Sequence, residues 1–361
     1  MSSYLFPIKM ALISFPFIAF FLTLPFVIYQ YRKYKYVNKI RVIVLYSFLL
    51  YMITSYYLVI LPLPASRDIK VLNVSKYYQL IPFNFIQDFL KETNVVFSKP
   101  ITYMYMLQER AFLQIVFNIL LFIPLGIYIR YYFRKDLKRV ILISFIISLF
   151  FEITQLTGLY GLYKYPYRLF DVDDLMLNTL GGIIGYYMAP VFMYFLPDSG
   201  TLDENVDFSC MKVSFTRRLI AFFIDWIILN IIIEILAVKD SVIFNGIVVF
   251  IYFILIVYLT NGKTVGKKIL NIKIKGQKDV LTFKEVFLRY SILYYGVIGV
   301  NRVVTVATSI NENAIILYVM MLFLFVYDGI IFVHFILHLF KKEKQFFYEK
   351  VSNTKNVIIT E

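Results

Sequence analysis

The chain has little that could staple it together or hold a metal. One cysteine, Cys210, in 361 residues excludes an intrachain disulfide and a cysteine-based metal cluster. Its only histidines, His334 and His338, stand one turn apart near the end of a long apolar run. With no further ligand evident, they are expected at a membrane interface rather than on a metal. Charge is scarce as well. Only 17% of residues are charged while 60% are hydrophobic, against roughly 25% charged in an ordinary soluble domain. That balance excludes a soluble enzyme or a soluble binding module. There is no low-complexity tract and no obvious repeat. A cleavable leader is not expected either: the first apolar run, about 8–29, is long for a signal segment and lacks a small-x-small exit site.

What remains is apolar length. Runs of the roughly 20 residues needed to cross a bilayer recur along the chain. Nine spans are expected: about 8–30, 42–63, 111–130, 139–157 and 175–196, then 218–237, 242–260, 290–309 and 314–339. The fold class is therefore all-α, a polytopic integral membrane bundle in two modules, 1–196 and 215–358. The polar stretch PDSGTLDENVD lies in a linker at 197–214.

The net charge of +14 is concentrated in YRKYKYVNKIR (Tyr31–Arg41), RYYFRKDLKR (Arg130–Arg139), the Asn261–Arg289 loop and the tail after Lys341. With nine spans these segments share one side, and the positive-inside rule makes it the cytoplasm. The N-terminus is then outside, in a plasma-membrane protein whose C-terminus is cytoplasmic. The lipid bilayer is the expected partner. Nucleic acid is not, because topology already accounts for the basic loops. Apolar content alone gives no oligomeric state.

The outer ends of the spans and the external loops then carry the polar residues. Ser144, Ser148, Glu152 and Gln155 are spaced four, four and three apart and share a helix face, as do Arg110, Gln114 and Asn118. Asp171, Asp174 and Asn178 fall at i, i+3 and i+7. Arg168 is the natural counter-charge for these acids, while Asp173 points elsewhere on the wheel and is expected in solvent. Carboxylates at a membrane boundary are costly and mark a functional site by default. The stripes are expected to line one cavity open to the outside. Upstream, YQLIPFNFIQDFL (Tyr78–Leu90) is too short to span and is expected at the interface, with Pro82 barring a regular helix there. Gly181, Gly182 and Gly185 permit close helix contact.

The residues leave several uses of this cluster open. It can tie helix ends together, bind an external polar ligand, or hold a divalent cation, although no loop has calcium-binding spacing. Acid–base work by Glu152 with an aspartate is a further option that spacing does not establish. No cofactor or resident metal is expected, and the balance leans away from an enzyme.

The segments YQLIPFNFI, FNILLFIPLGIYI (Phe117–Ile129) and FEITQLTGLYGLYKYPYRLFDVDDLMLNTLGGIIGY resemble the VanZ-like family of membrane proteins. The family pattern falls on Glu152, Gln155, Arg168, Asp171, Asp174 and Asn178, with Asn118, Pro124 and Gly126 on its NxxxFxPxG segment. The family takes its name from a protein that lowers susceptibility to teicoplanin, a lipoglycopeptide. The resemblance implies envelope-related action at the outer face of a Gram-positive membrane, on a cell-wall precursor or a glycopeptide-class ligand.

In the second half, FTRRLIAFFIDWIIL (Phe215–Leu229) and TNGKTVGKKILNIKIKG (Thr260–Gly276) resemble the RDD family. Arg218 and Asp225 take the places of its arginine and first aspartate. Near the end Glu349 stands for the last aspartate and Tyr348 for a preceding histidine. By spacing, Arg218 and Asp225 are seven apart on one face, and Asp225 needs a partner inside its apolar run. Pairing with Arg218 or a loop lysine is one expectation and an ion pathway another. The resemblance implies cation–proton exchange as a rival function. The GKTVGKK loop is not a phosphate-binding loop: three residues separate Gly262 from Gly266, and no Ser or Thr follows Lys267.

Overall fold

The computed structural model describes residues 2–66, 77–95, 98–203, 206, 211–236, 241–340 and 345–359, excepting the side chains of 2–4, 100 and 338–340. Cys210 and the side chain of His338 thus lie outside the described residues. The chain divides into two compact units, Met1–Leu24 with Asn38–Asn205, and Pro25–Val37 with Val206–Glu361. The last turns of the first helix, α1 (Ser2–Tyr34), therefore belong to the second unit.

Five long helices dominate the first unit. They are α1 up to Leu24, α2 (Lys39–Ile60), α4 (Arg110–Tyr131), α5 (Leu137–Leu156) and α7 (Val172–Phe195). Shorter pieces join them. β1 (Tyr78–Gln79), which pairs in parallel with β2 (Phe170–Asp171) just before α7, precedes α3 (Asn84–Glu92), and a single turn α6 (Gly158–Gly161) follows α5. A helix does form within the segment expected to be irregular, but it begins two residues after Pro82, where proline no longer breaks its bonds.

Helices α4 and α7 touch along backbone. A Cβ added at Gly181 would overlap the Ile119 carbonyl, one at Gly185 the Ile123 carbonyl, and one at Gly126 the Gly182 carbonyl. Small residues are what allow such an approach. Phe122, Leu125, Ile129, Val140 and Phe151 form the core beside this contact. In α6, Gly158, Leu159, Tyr160 and Gly161 all have positive φ, from 56° to 91°, so the turn is left-handed. Non-glycine residues adopt that conformation at a cost of roughly 1–2 kcal/mol each.

In the second unit, α8 (Phe215–Ile235) packs on α11 (Val265–Ile269). A helix from Val242 to Leu259 is α9 (Val242–Phe250) and α10 (Ile256–Leu259) joined by a π-turn over Ile251–Leu255. Another runs from α12 (Phe283–Tyr290) through a π-helical stretch, Ser291–Gly299, into α13 (Val300–Ile310). The long helix α14 (Ala314–Phe340), the short α15 (Phe347–Val351) and an antiparallel pair, β3 (Ile272–Lys275) with β4 (Lys355–Ile358), complete it.

Among the described residues, eight helices are long and apolar enough to cross a membrane. The ninth expected span exists as α8, 21 residues long, but Arg217, Arg218, Asp225 and Glu234 interrupt its apolar run. Large apolar side chains such as Phe20, Phe21, Tyr194 and Phe325 face outward, each at least 75% exposed. Lipid suits such a surface and water does not.

Candidate functional site

In the first unit the cluster is assembled where α5, α7, α3 and α4 meet. Ser144, Ser148, Glu152 and Gln155 are all buried, so the i, i+4 stripe of α5 faces protein. The Glu152 carboxylate accepts the Asp171 amide at 3.0 Å. Asp171 caps α7 by accepting the Asp173 amide at 2.9 Å, an ordinary role for aspartate at an N-cap. Asp174 accepts the Asn118 amide from α4, and the Asn178 amide donates to Ser148 at 2.8 Å. The Gln155 amide and the Arg168 guanidinium both donate to the Val59 carbonyl, each at 2.8 Å.

Two expectations are corrected here. Asp173 is not in solvent: it is 2% exposed. Its carboxylate accepts the backbone amides of Phe83 at 2.7 Å and Phe85 at 2.8 Å. It thereby holds the start of α3, whose Phe83 cap sits at φ 65°. Arg168 does not pair with the acids. It is exposed, and among the described residues no carboxylate lies within 4 Å of its guanidinium. The carboxylates are satisfied by neutral amides instead.

Asp171 and Asp174 border a small cavity of about 50 Å³ together with Asp88, Asp173 and Gln114. Glu152, Gln155, Asn178, Asn118 and Arg168 are not among its walls; the first three are buried. Burial pushes the Asp171 carboxyl above its ordinary value, and the Asp173 and Asp88 carboxylates add to the rise against the Asp173 amide bond. Burial likewise pushes the Tyr167 phenol up to about 12. Among the described residues no group of three acids, histidines or cysteines is spaced to hold a metal ion.

In the second unit the expected arginine and aspartates separate into two centres. Arg218 pairs at 3.0 Å with Glu349, which is 1% exposed at its side chain. Glu349 also takes Arg289 at 2.9 Å, the Asn356 amide at 2.7 Å and the Phe346 amide at 3.0 Å. Tyr348 lies over Arg289, its ring 5.1 Å from the guanidinium carbon, and burial pushes its phenol up to about 12.

Among the described residues Asp225 pairs with no cation. Tyr252 donates to it at 2.8 Å, Thr264 at 2.5 Å and the Gly266 amide at 2.7 Å. The expected pairing with Arg218 or a lysine fails because the GKTVGK turn comes close enough to supply two neutral donors, Thr264 and Gly266, and Tyr252 of the Val242–Leu259 helix supplies a third. A Cβ at Gly266 would strike the Ala221 carbonyl and lie 2.9 Å from the Asp225 carboxylate. Its neighbour Arg217 is the more buried arginine, 1% exposed. It donates to the Leu270 carbonyl at 2.8 Å and to the Lys35 carbonyl at 2.7 Å. Sequence reasoning overlooked Arg217 and Arg289; the available signal was that a basic residue in an apolar helix must find acceptors.

Residues 48–194 match the VanZ/LLP1 family and residues 212–353 match the RDD family. No curated protein and no solved structure matches the chain. The two matches meet the two sets of contacts just described, the first containing the acidic cavity and the second the Glu349 and Asp225 centres. The chain is a multi-pass membrane protein that joins a VanZ-like domain to an RDD-family domain.

Proposed function

We propose that this protein acts in the cell envelope, lowering susceptibility to teicoplanin-class lipoglycopeptides through the acidic cavity of its VanZ-like domain. The observation that carries the reading is that cavity itself: Asp88, Asp171, Asp173, Asp174 and Gln114 converge on about 50 Å³ at one end of a glycine-packed helix pair. Glu152, Asn118, Gln155, Asn178 and Arg168 support it from outside its walls by fixing the ends of α5 and α7. The distribution of basic loops supports an outward-facing cavity in a plasma membrane, with the N-terminus outside and the C-terminus in the cytoplasm. A cavity this small suits one polar group, such as an ammonium of a wall precursor or glycopeptide, better than a whole ligand.

The rival, ion-coupled transport through the RDD domain, depends on Asp225 and Arg218. Asp225 is fully buried and accepts three short hydrogen bonds, which favours a fixed strap between α8 and the 264–266 turn. A scaffold without chemistry is the third reading.

The deciding experiment is growth inhibition by teicoplanin in a susceptible Gram-positive host expressing the full chain, Asp174→Asn or Arg168→Ala at matched membrane abundance. Protection by the full chain, lost in Asp174→Asn, supports the cavity. Absence of protection at verified abundance ends the resistance reading. Loss of cation flux in Asp225→Asn alone would then favour transport, and effects that follow abundance alone would favour a scaffold.

A further inference from the structure

The RDD domain holds a second and much larger cavity, of about 510 Å³, separate from the acidic cavity of the proposed function. Its walls are apolar along most of their length, with Phe215, Leu219 and Phe222 of α8 facing Ile331 and Phe335 of α14. Besides Tyr294 and His334, which stand on the long helices, its polar lining comes from Arg218, Lys267, Arg289, Tyr290, Tyr348 and Asn356. These lie on the first turn of α8, the 264–269 loop and helix, the end of α12, and the segments after α14. Every one of these pieces belongs to the basic side of the chain, so the polar lining gathers at headgroup depth while the aromatic walls run along helices.

The charges there do not balance. Three cations, Arg218, Lys267 and Arg289, line the cavity, while Glu349, which binds both arginines, is not itself on its wall. Lys267 donates to the Tyr290 phenol at 3.0 Å, a neutral partner. Asp225 of α8, against which the 264–266 turn packs, is held by Tyr252, Thr264 and Gly266 and is not on the cavity wall. Arg289 is 3% exposed, and its Nε lacks a hydrogen-bond partner among the described residues, as does the Oδ1 of Asn356. A buried guanidinium nitrogen without an acceptor is costly. An anion reaching into the cavity would satisfy it.

We propose that this cavity is a binding site for an anionic phospholipid. The phosphate lies against Lys267 and the Arg289 Nε, and one acyl chain runs between α8 and α14. Anionic lipids enrich the cytoplasmic leaflet, where basic pockets between helices take their headgroups, and 510 Å³ lies in the range of ligand cavities. A zwitterionic lipid would bring its own ammonium to a site already rich in cations.

The test is native mass spectrometry of the purified full-length chain titrated with phosphatidylglycerol, with phosphatidylcholine, or with inorganic phosphate. One phosphatidylglycerol should be retained at concentrations where phosphatidylcholine is not. Lys267→Gln, at a half-buried position, should weaken it about tenfold, the loss of one charge-assisted bond. Leu219→Trp, which fills the apolar wall without touching a charge, should abolish retention while the protein stays folded by circular dichroism. Equal retention of the two lipids, or unchanged retention in both variants, would overturn the proposal. Inorganic phosphate displacing the lipid stoichiometrically at equal concentration would also overturn it, since the site would then recognise free phosphate.

Discussion

Asp173→Ala should release the α3 segment from the acidic cluster. The Asp173 carboxylate accepts two backbone amides, Phe83 at 2.7 Å and Phe85 at 2.8 Å, from a site that is 2% exposed. Hydrogen bonds to a charged group contribute about 1.5–3 kcal/mol each, so losing both costs about 3 kcal/mol at the low end of that range. Phe83 adds to the effect because its left-handed φ of 65° is strained for a residue with a side chain, and the carboxylate holds it there. Opening of residues 83–92 should become about a hundredfold more frequent, taking about 1.4 kcal/mol per tenfold. Asp173→Asn keeps one acceptor oxygen and should show about a tenfold effect. Hydrogen exchange in lipid nanodiscs reads this directly, with peptides from α4 as the internal control. Unchanged exchange over 83–92 in Asp173→Ala would refute the claim that this side chain anchors α3.

Glu349→Ala should strand Arg218 and Arg289 as buried cations at a cost of about 3–5 kcal/mol, read as a large loss of thermal stability or of folded yield; a change under about 1 kcal/mol would mean the pair behaves as if solvated. Gly185→Ala places a Cβ against the Ile123 carbonyl and should cost about 1–3 kcal/mol by forcing α4 and α7 apart, whereas Gly329→Ala, with open space around its Cβ, should not lower the melting temperature. Asp171 has a raised pKa in the folded state, so the native state holds its proton more tightly than the unfolded chain. Its contribution to stability is greatest in acid and declines as pH rises through that interval. Asp171→Asn keeps the N-cap and should therefore gain in melting temperature relative to the parent as pH rises from about 4 towards neutrality, opposite to a salt-bridged carboxylate; a gap that narrows over that range would contradict the burial argument.

Much of this was legible in the sequence because helices repeat. The Ser144, Ser148, Glu152 and Gln155 stripe follows from spacing alone, and all four residues are buried as one face. Gly181, Gly182 and Gly185 announced a close helix contact in the same way. Asp173 was missed because a helical wheel sees only its own helix, whereas its partners are backbone amides about 90 residues upstream. Charge points Arg168 at the acids, yet charge cannot reveal a carbonyl such as Val59 or amide donors that already occupy the carboxylates. In the second domain, family resemblance selected Arg218 and Glu349, which do meet. It passed over Arg217, whose acceptors are carbonyls at a helix end, and Arg289, which completes the Glu349 centre. Eight helices rather than nine pass as spans by composition because α8 carries the charges that organise its own domain.

The most direct test of the account is the side of the membrane on which the acidic cavity opens. With Cys210→Ser removing the one native thiol, a cysteine placed at the exposed cavity residue Asp88 can be labelled with a membrane-impermeant maleimide on intact cells. The account predicts labelling from outside without lysis. Labelling only after the membrane is opened would place the cavity in the cytoplasm and contradict an action on lipoglycopeptides at the outer face.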